Sequence, residues 1–433
     1  MFTYYLDLAR RSLKRNKALT ALMIVAIAFG VGASMTTLTV LHVLSADPIP
    51  SKSHQLYYVQ LDPRNLLGYQ PLKEPDEQVT RADAEELLRQ AKGDRQAMMT
   101  GGSVAIEPER SDLKPFFADS RYTSADFFTI FRVPFVAGTG WTAADDVGRS
   151  RVVVIARPLA DKLFGTTSVV GRTIRVEGNE MRILGVIDDW QPSPHFFDLN
   201  LARYGKSELV YTPFSTAVEL KLGRNGSMDC WDESGPDSLR VGAPCVWIQY
   251  WVELDSKEKA AAYKDYLVSY SREQLRAGRY QRPPNVRLRD VMQWLEFKEI
   301  VPNDVRLQNY VALGFLLVCL INTVGLLLTK FVRRSPEIGV RRALGASKRS
   351  IFLQLLVESG MIGFVGGVLG LGLAWLGLFA VRHQPTSYAS LAELDLPMLA
   401  MTFALSIVAS LLAGLFPAWR GCQITPAVQL KSL

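Results

Sequence analysis

Polar and apolar positions are unevenly distributed along the chain. Four runs contain no Asp, Glu, Lys or Arg: Ala18 to Ala46, Leu307 to Thr329, Ser359 to Val381 and Leu396 to Trp419. Each has at least 23 residues, against about 20 needed for a helix to cross a bilayer. Buried helices of soluble enzymes seldom stay charge-free for so long, so the pattern predicts transmembrane helices at 18–46, 307–329, 351–381 and 396–419. The first run follows a basic leader, Arg10, Arg11, Lys14, Arg15 and Lys17, as a signal peptide would. A signal core has about 7–15 apolar residues, and this run is far longer, so it reads as a retained anchor.

The stretch between the first two helices changes period repeatedly. Leu56 to Leu61 alternates like a strand, Arg81 to Lys92 places Ala84, Leu87, Leu88 and Ala91 at helical spacing, and Arg151 to Ala156 is a buried-type strand. Pro158 to Phe164 predicts a short helix, then Thr173 to Val176 and Met181 to Ile187 a hairpin turned at Gly178-Asn179. After a loose Gly-, Pro- and Asp-rich region, Val246 to Leu254 predicts a strand and Ser256 to Arg276 an amphipathic helix. The expected fold class is thus an α-helical membrane protein with four transmembrane helices and a large mixed α/β extracytoplasmic domain, residues 47–302, between helices 1 and 2. Residues 1–17 form an amphipathic leader, 330–350 a link between helices, and 420–433 a tail.

Charge orients this arrangement. Basic residues cluster in the leader and at Lys330, Arg333, Arg334, Arg341, Arg342, Lys348 and Arg349, which predicts that both termini and the 330–350 segment are cytoplasmic. Residues 47–302 hold 33 Lys+Arg and 36 Asp+Glu, leaving 16 basic and 6 acidic residues for the rest. The net charge of +7 is therefore a topology signal, and a slightly acidic large domain without a basic, aromatic-laced stripe argues against nucleic acid as a partner. A hydrophobic content of 48% and 433 residues exclude a disordered chain and imply more than one domain.

Catalytic chemistry is sparse. Tyr204 to Ser207 superficially resembles the end of a P-loop, but Asn200 stands where glycine is required; HExxH and GxSxG are absent, and there are four histidines. Asp145-Asp146 and Asp188-Asp189 are adjacent pairs whose side chains diverge or sit in turns. No catalytic, cofactor or metal site is expected on this chain. Cys230 and Cys245, in an oxidising compartment, are a disulfide candidate, the alternative being two buried thiols.

Three stretches carry a family resemblance. Phe127-Phe128, Gly138, Trp141, Arg151 to Ala156, Leu163-Phe164-Gly165, Val170-Gly171, Ile174, Gly178 and Ile183 to Val186 resemble the periplasmic core domain of MacB-like ABC permeases. Pro336 to Ala346 is similar to the motif after the second membrane helix in the FtsX/MacB/LolC superfamily, and Ala413-Gly414, Pro417-Ala418, Arg420 and Pro426 to Leu430 to its carboxyl-terminal signature. Arg341 stands where an apolar residue is common in the family, and Gly421-Cys422 where alanine is frequent.

Physically, Ser335 is a potential cap, Pro336 suits the first helical position, Glu337 the positive end of the helix dipole, and Gly345 a stop. Val340, Ala343 and Leu344 share one side of this helix, with Ile338, Arg341 and Arg342 elsewhere, and so short a helix needs a partner surface. Anionic lipid is one such surface. The resemblance implies the other: a coupling helix, Glu337, Ile338, Gly339, Val340, Arg341, Arg342, Ala343, Leu344, Gly345 and Ala346, that docks on a cytoplasmic ABC ATPase dimer binding ATP and Mg on a partner chain.

Small residues recur at seam spacing: Ala26, Gly30, Ala33 and Thr37 in helix 1, and Gly363, Gly367, Gly370, Ala374 and Gly377 in helix 3. They pack either within one chain or across a dimer with a second permease chain, identical or homologous. Glu358 matches a glutamate common at this place in the family and is either part of a proton pathway or a paired interfacial charge. The resemblance implies a bacterial inner-membrane permease without a fused ATPase, driving export of a periplasmic peptide, drug or lipid-linked molecule with a periplasmic adaptor and outer-membrane channel. Alternatives are FtsX-like mechanotransmission to an extracytoplasmic hydrolase and LolC-like lipoprotein extraction.

Overall fold

A computed structural model describes residues 2–201, 203–205, 207–384 and 396–423, so the Pro426 to Leu430 motif lies outside the described residues. The chain forms two compact units, Met1–Ala46 with Val301–Leu433, and Asp47–Ile300.

In the first unit a leader helix, Phe2–Arg15, precedes span 1, Lys17–Ser45. Span 2 is Asn303–Arg333, a link helix follows at Ser335–Ala343, span 3 is Lys348–Arg382 and span 4 is Leu396–Cys422. The spans outrun their charge-free cores because flanking charged residues continue the helix; span 3, for example, starts where the Ser347 hydroxyl accepts from the Ser350 N–H. Buried hydroxyls satisfy themselves on the preceding turn, with Thr323 donating to Cys319 O and Thr402 to Met398 O, both at 2.8 Å. Phe29, Phe315, Trp375 and Phe416 stay exposed on the outer surface of the unit, where an apolar solvent would meet them.

The glycine seams close within the chain. Gly363 and Gly367 of span 3 lie against Ser406 and Ser410 of span 4, while Gly370 and Gly377 lie against Val31 and Thr36 of span 1. Gly30 leaves room for Leu316 and Cys319 of span 2, and Ala374 is fully buried. The span 1 stripe differs from the sequence expectation: Ala33 is exposed and Ala26 only half-buried. At 100° per residue both fall about 140–160° from the centre of the packed face, Ile27, Val31 and Met35, and beyond its margins at Gly30 and at Gly32, which faces Leu373.

The second unit is built on one large sheet. Its main strands are β1 (Leu56–Gln60), β2 (Arg95–Glu107), β3 (Phe116–Thr123), β4 (Phe135–Gly138), β5 (Val152–Ala156), β6 (Asn179–Ile187), β7 (Val210–Pro213), β8 (Cys245–Glu253) and β9 (Arg287–Asp290). They lie in the order β9-β1-β8-β2-β3-β7-β5-β6-β4. β3/β7 and β5/β6 are parallel and the other neighbours antiparallel. Every residue of β5 and β8 is buried, as expected for strands covered on both faces, and burying each Val or Ile contributes about 1.5–3 kcal/mol. The helix Lys257–Arg276, capped by Ser256, contributes Tyr263, Leu267 and Tyr270 to the same core.

Local chemistry explains the turns. The hairpin Thr173–Val176 to β6 turns on Glu177-Gly178, both at positive φ (46° and 75°), one residue earlier than the sequence spacing predicts. Gly138 has φ 69° and sits against Leu184 O, a position with no space for a side chain. Phe128 meets Trp141 edge-on at 4.8 Å, so the aromatic pair and the tryptophan of the resemblance are one packed cluster. Cys230 and Cys245 are bonded to each other.

Candidate functional site

The link helix holds the residues expected to couple the chain to a partner. Ser335 lies inside the helix rather than capping it, Pro336 occupies its first turn and Leu344 follows its last residue. The start differs from the sequence expectation because span 2 runs on to Arg333, leaving only Arg334 between the two helices, and no side chain caps it. Gly345, at φ 98°, ends the helix. Ser335, Ile338 and Gly339 are buried within the unit, whereas Val340, Ala343, Leu344 and Gly345 are exposed, Leu344 at 83%. Arg341, Arg342 and Ala346 are intermediate. The helix therefore rests on Ile338 and presents Val340, Ala343 and Leu344 outward.

Its acidic residue ties it down. Glu337 pairs with Arg341 at 3.0 Å, with Arg334 at 3.4 Å and with Arg15 of the leader helix at 3.4 Å. Partial burial pushes the Glu337 carboxyl up, but the hydrogen bond and charge of Arg334, then Arg341 and Arg15, outweigh it and hold the group below the ordinary carboxylate range. Arg341 also donates to Gln354 of span 3 at 3.0 Å.

Arg334 leads to a second, deeper carboxylate. Glu358 of span 3 is fully buried; one oxygen meets Lys330 at 2.7 Å and Ser12 at 2.5 Å, and the other meets Arg334 at 2.8 Å. Lys330 is itself fully buried and lies 3.4 Å from the Thr20 hydroxyl, while Arg334 donates to Ser12 at 2.7 Å. Glu358 is thus a paired charge whose partners come from span 2, the start of the link and the leader helix. Two carboxylates, Glu337 and Glu358, share Arg334 and so join four helices through charge-assisted hydrogen bonds.

Lys330, Arg334 and Ser12 were not singled out from sequence as members of this cluster. Lys330 was legible as the first charge after an apolar run, but its partner lies 28 positions away on another span, so nothing local couples them. The second unit holds another such cluster. Arg121, completely buried in β3, pairs with Asp198 and Glu208, with His195 close to both. Burial lowers the His195 pKa below its ordinary value despite the Glu208 charge.

Residues 20–270 match the MacB-like periplasmic core domain, and residues 309–426 match the FtsX-like permease C-terminal region. The chain belongs to the MacB-like family of ABC permeases. The permease is 24% identical over 336 residues to the pyoverdine export ATP-binding/permease protein PvdT of Pseudomonas aeruginosa, covering 77% of its own length and 45% of that protein. It is 26% identical over 303 residues to the macrolide export ATP-binding/permease protein MacB of Chlorobium luteolum, covering 69% and 40%. The permease spans less than half the length of these curated relatives. The crystal structure of the periplasmic region of MacB from Actinobacillus actinomycetemcomitans is similar at a TM-score of 0.37 and 13% identity, over 59% of the permease and 97% of that chain.

Proposed function

We propose that the permease is the membrane component of a bacterial inner-membrane ABC exporter, with both termini and the link helix cytoplasmic. ATP hydrolysis is supplied by an ABC ATPase domain outside these 433 residues, where ATP and Mg bind, and it drives movements of the extracytoplasmic α/β domain that expel a substrate already outside the membrane. The observation that carries this reading is the link helix: its Val340, Ala343 and Leu344 face is exposed, while Glu337, Arg334 and Glu358 fasten its other side to spans 2 and 3 and the leader helix. A helix held this way transmits a displacement of a docked partner into the spans with little slack. The names of the relatives, which describe export by ATP-binding/permease proteins, support the same direction.

A second reading, FtsX-like mechanotransmission to an extracytoplasmic hydrolase, is supported by the FtsX-like match over residues 309–426. It uses the same docking face and differs in output. Leu344→Asp tests what both share: burying an unpaired carboxylate against a partner costs several kcal/mol, so association with the ABC ATPase and any ATP-driven output are lost while membrane insertion persists. Full association and output in the mutant would remove this face from the docking surface. ATP-dependent movement of a dye or peptide by wild-type proteoliposomes containing the ATPase supports export; hydrolase activation without transport supports the second reading.

A further inference from the structure

A cleft of about 400 Å³ opens on the second unit between the helix Phe214–Glu219 and the disulfide-closed loop. Its floor is aromatic: Trp247, Tyr122 and Phe214 are all nearly fully buried, and Phe214 stacks on Trp247 at 5.8 Å. The rim is basic. Arg224 is fixed over the Trp247 ring at 5.5 Å by its bonds to the carbonyls of Asn225, Gly226 and Ser227, and exposed Lys221 forms no ion pair among the described residues. The acidic rim residue, Asp237, accepts instead from the Leu239 N–H of its own loop at 2.9 Å, and Arg81 holds that loop through Leu239 O at 3.0 Å.

We infer that this cleft is a binding site for a small anionic amphiphile, whose apolar body lies on Phe214, Tyr122 and Trp247 and whose acidic oxygens pair with Lys221 and Arg224 at the rim. An apolar pocket with a few convergent polar groups is the usual form of a small-molecule site, and the Cys230–Cys245 bond keeps its outer wall in place. The site stands independently of the export reading. The test titrates the full-length permease in nanodiscs, after subtraction of empty nanodiscs, with 8-anilinonaphthalene-1-sulfonate and with its uncharged counterpart N-phenyl-1-naphthylamine. The sulfonate is expected to bind stoichiometrically. Lys221→Glu, an exposed substitution that leaves the core intact, weakens the sulfonate about tenfold and leaves the neutral dye unchanged. No stoichiometric sulfonate binding, or equal affinity in wild type and Lys221→Glu, overturns the assignment.

Discussion

Glu358→Ala isolates the charge that holds the link helix to the membrane unit. The substitution leaves Arg334, which is 11% exposed, able to keep Glu337, but it strips fully buried Lys330 of its only carboxylate among the described residues and leaves it the Thr20 hydroxyl at 3.4 Å. Removing one member of a buried ion pair costs about 3–5 kcal/mol, because the surviving charge stays desolvated. For a folding unit of this size each kcal/mol shifts the midpoint by roughly 2–4 °C, so the expected loss is on the order of 10 °C. Melting of the full-length permease in detergent, followed with a thiol-reactive maleimide dye, reads this unit directly, because its free thiols Cys319 and Cys422 are both buried there. Replacing the pair with apolar groups, Glu358→Leu with Lys330→Met, recovers most of the midpoint, since a buried pair gives little net stability over well-packed hydrophobic residues. A Glu358→Ala midpoint within about 2 °C of wild type, or a double variant no better than the single one, would refute the argument that these charges are coupled.

Further outcomes follow from other elements. Non-reducing peptide mapping of material from the native compartment finds Cys230 linked to Cys245, and Cys230→Ser with Cys245→Ser lowers the stability of the α/β unit by about 3 kcal/mol for a loop of this size, an effect absent if the thiols are free. Burial pushes the Asp146 carboxyl up to about 7 despite the Ala125 N–H it accepts. The folded state therefore holds a proton that the unfolded chain releases near pH 4, and stability falls as pH rises from about 4 through about 7. Tryptophan-fluorescence melts should show that slope and its loss in Asp146→Asn. Gly363→Ala drives a methyl into Ser410 and the Ser406 carbonyl and costs about 1–3 kcal/mol, whereas Gly360→Ala, whose Cβ meets Leu411 at an ordinary 3.5 Å, leaves the melt unchanged.

Much of this architecture is written in local pattern. The four spans were legible because a water-soluble fold rarely buries a charge-free run of membrane-crossing length, and β5 and the hairpin into β6 because their apolar order and Gly178 allow little else. Two adjacent central strands, β2 and β3, were missed for the opposite reason. β2 contains Thr100, Gly101, Gly102 and Ser103, which carry no apolar alternation of their own, and they become strand only through pairing with β3 from Ile106↔Phe116 to Met99↔Thr123. The outward face of the link helix followed from helical periodicity, and the structure exposes Val340 and Leu344 as that periodicity places them. The clusters around Glu358 and Arg121 did not, because each joins segments far apart in sequence, and a single charged letter carries no record of the partner that compensates it.

The claim that the Val340, Ala343 and Leu344 face meets an ABC ATPase is tested most directly by site-specific photocrosslinking in intact cells. A benzophenone amino acid at position 344, which is 83% exposed, is predicted to give an adduct that mass spectrometry identifies as an ABC ATPase, and the same probe at position 338, 5% exposed and packed inside the unit, to give none. Adducts at 344 made only with phospholipid, while the ATPase still associates with the permease, would contradict the account.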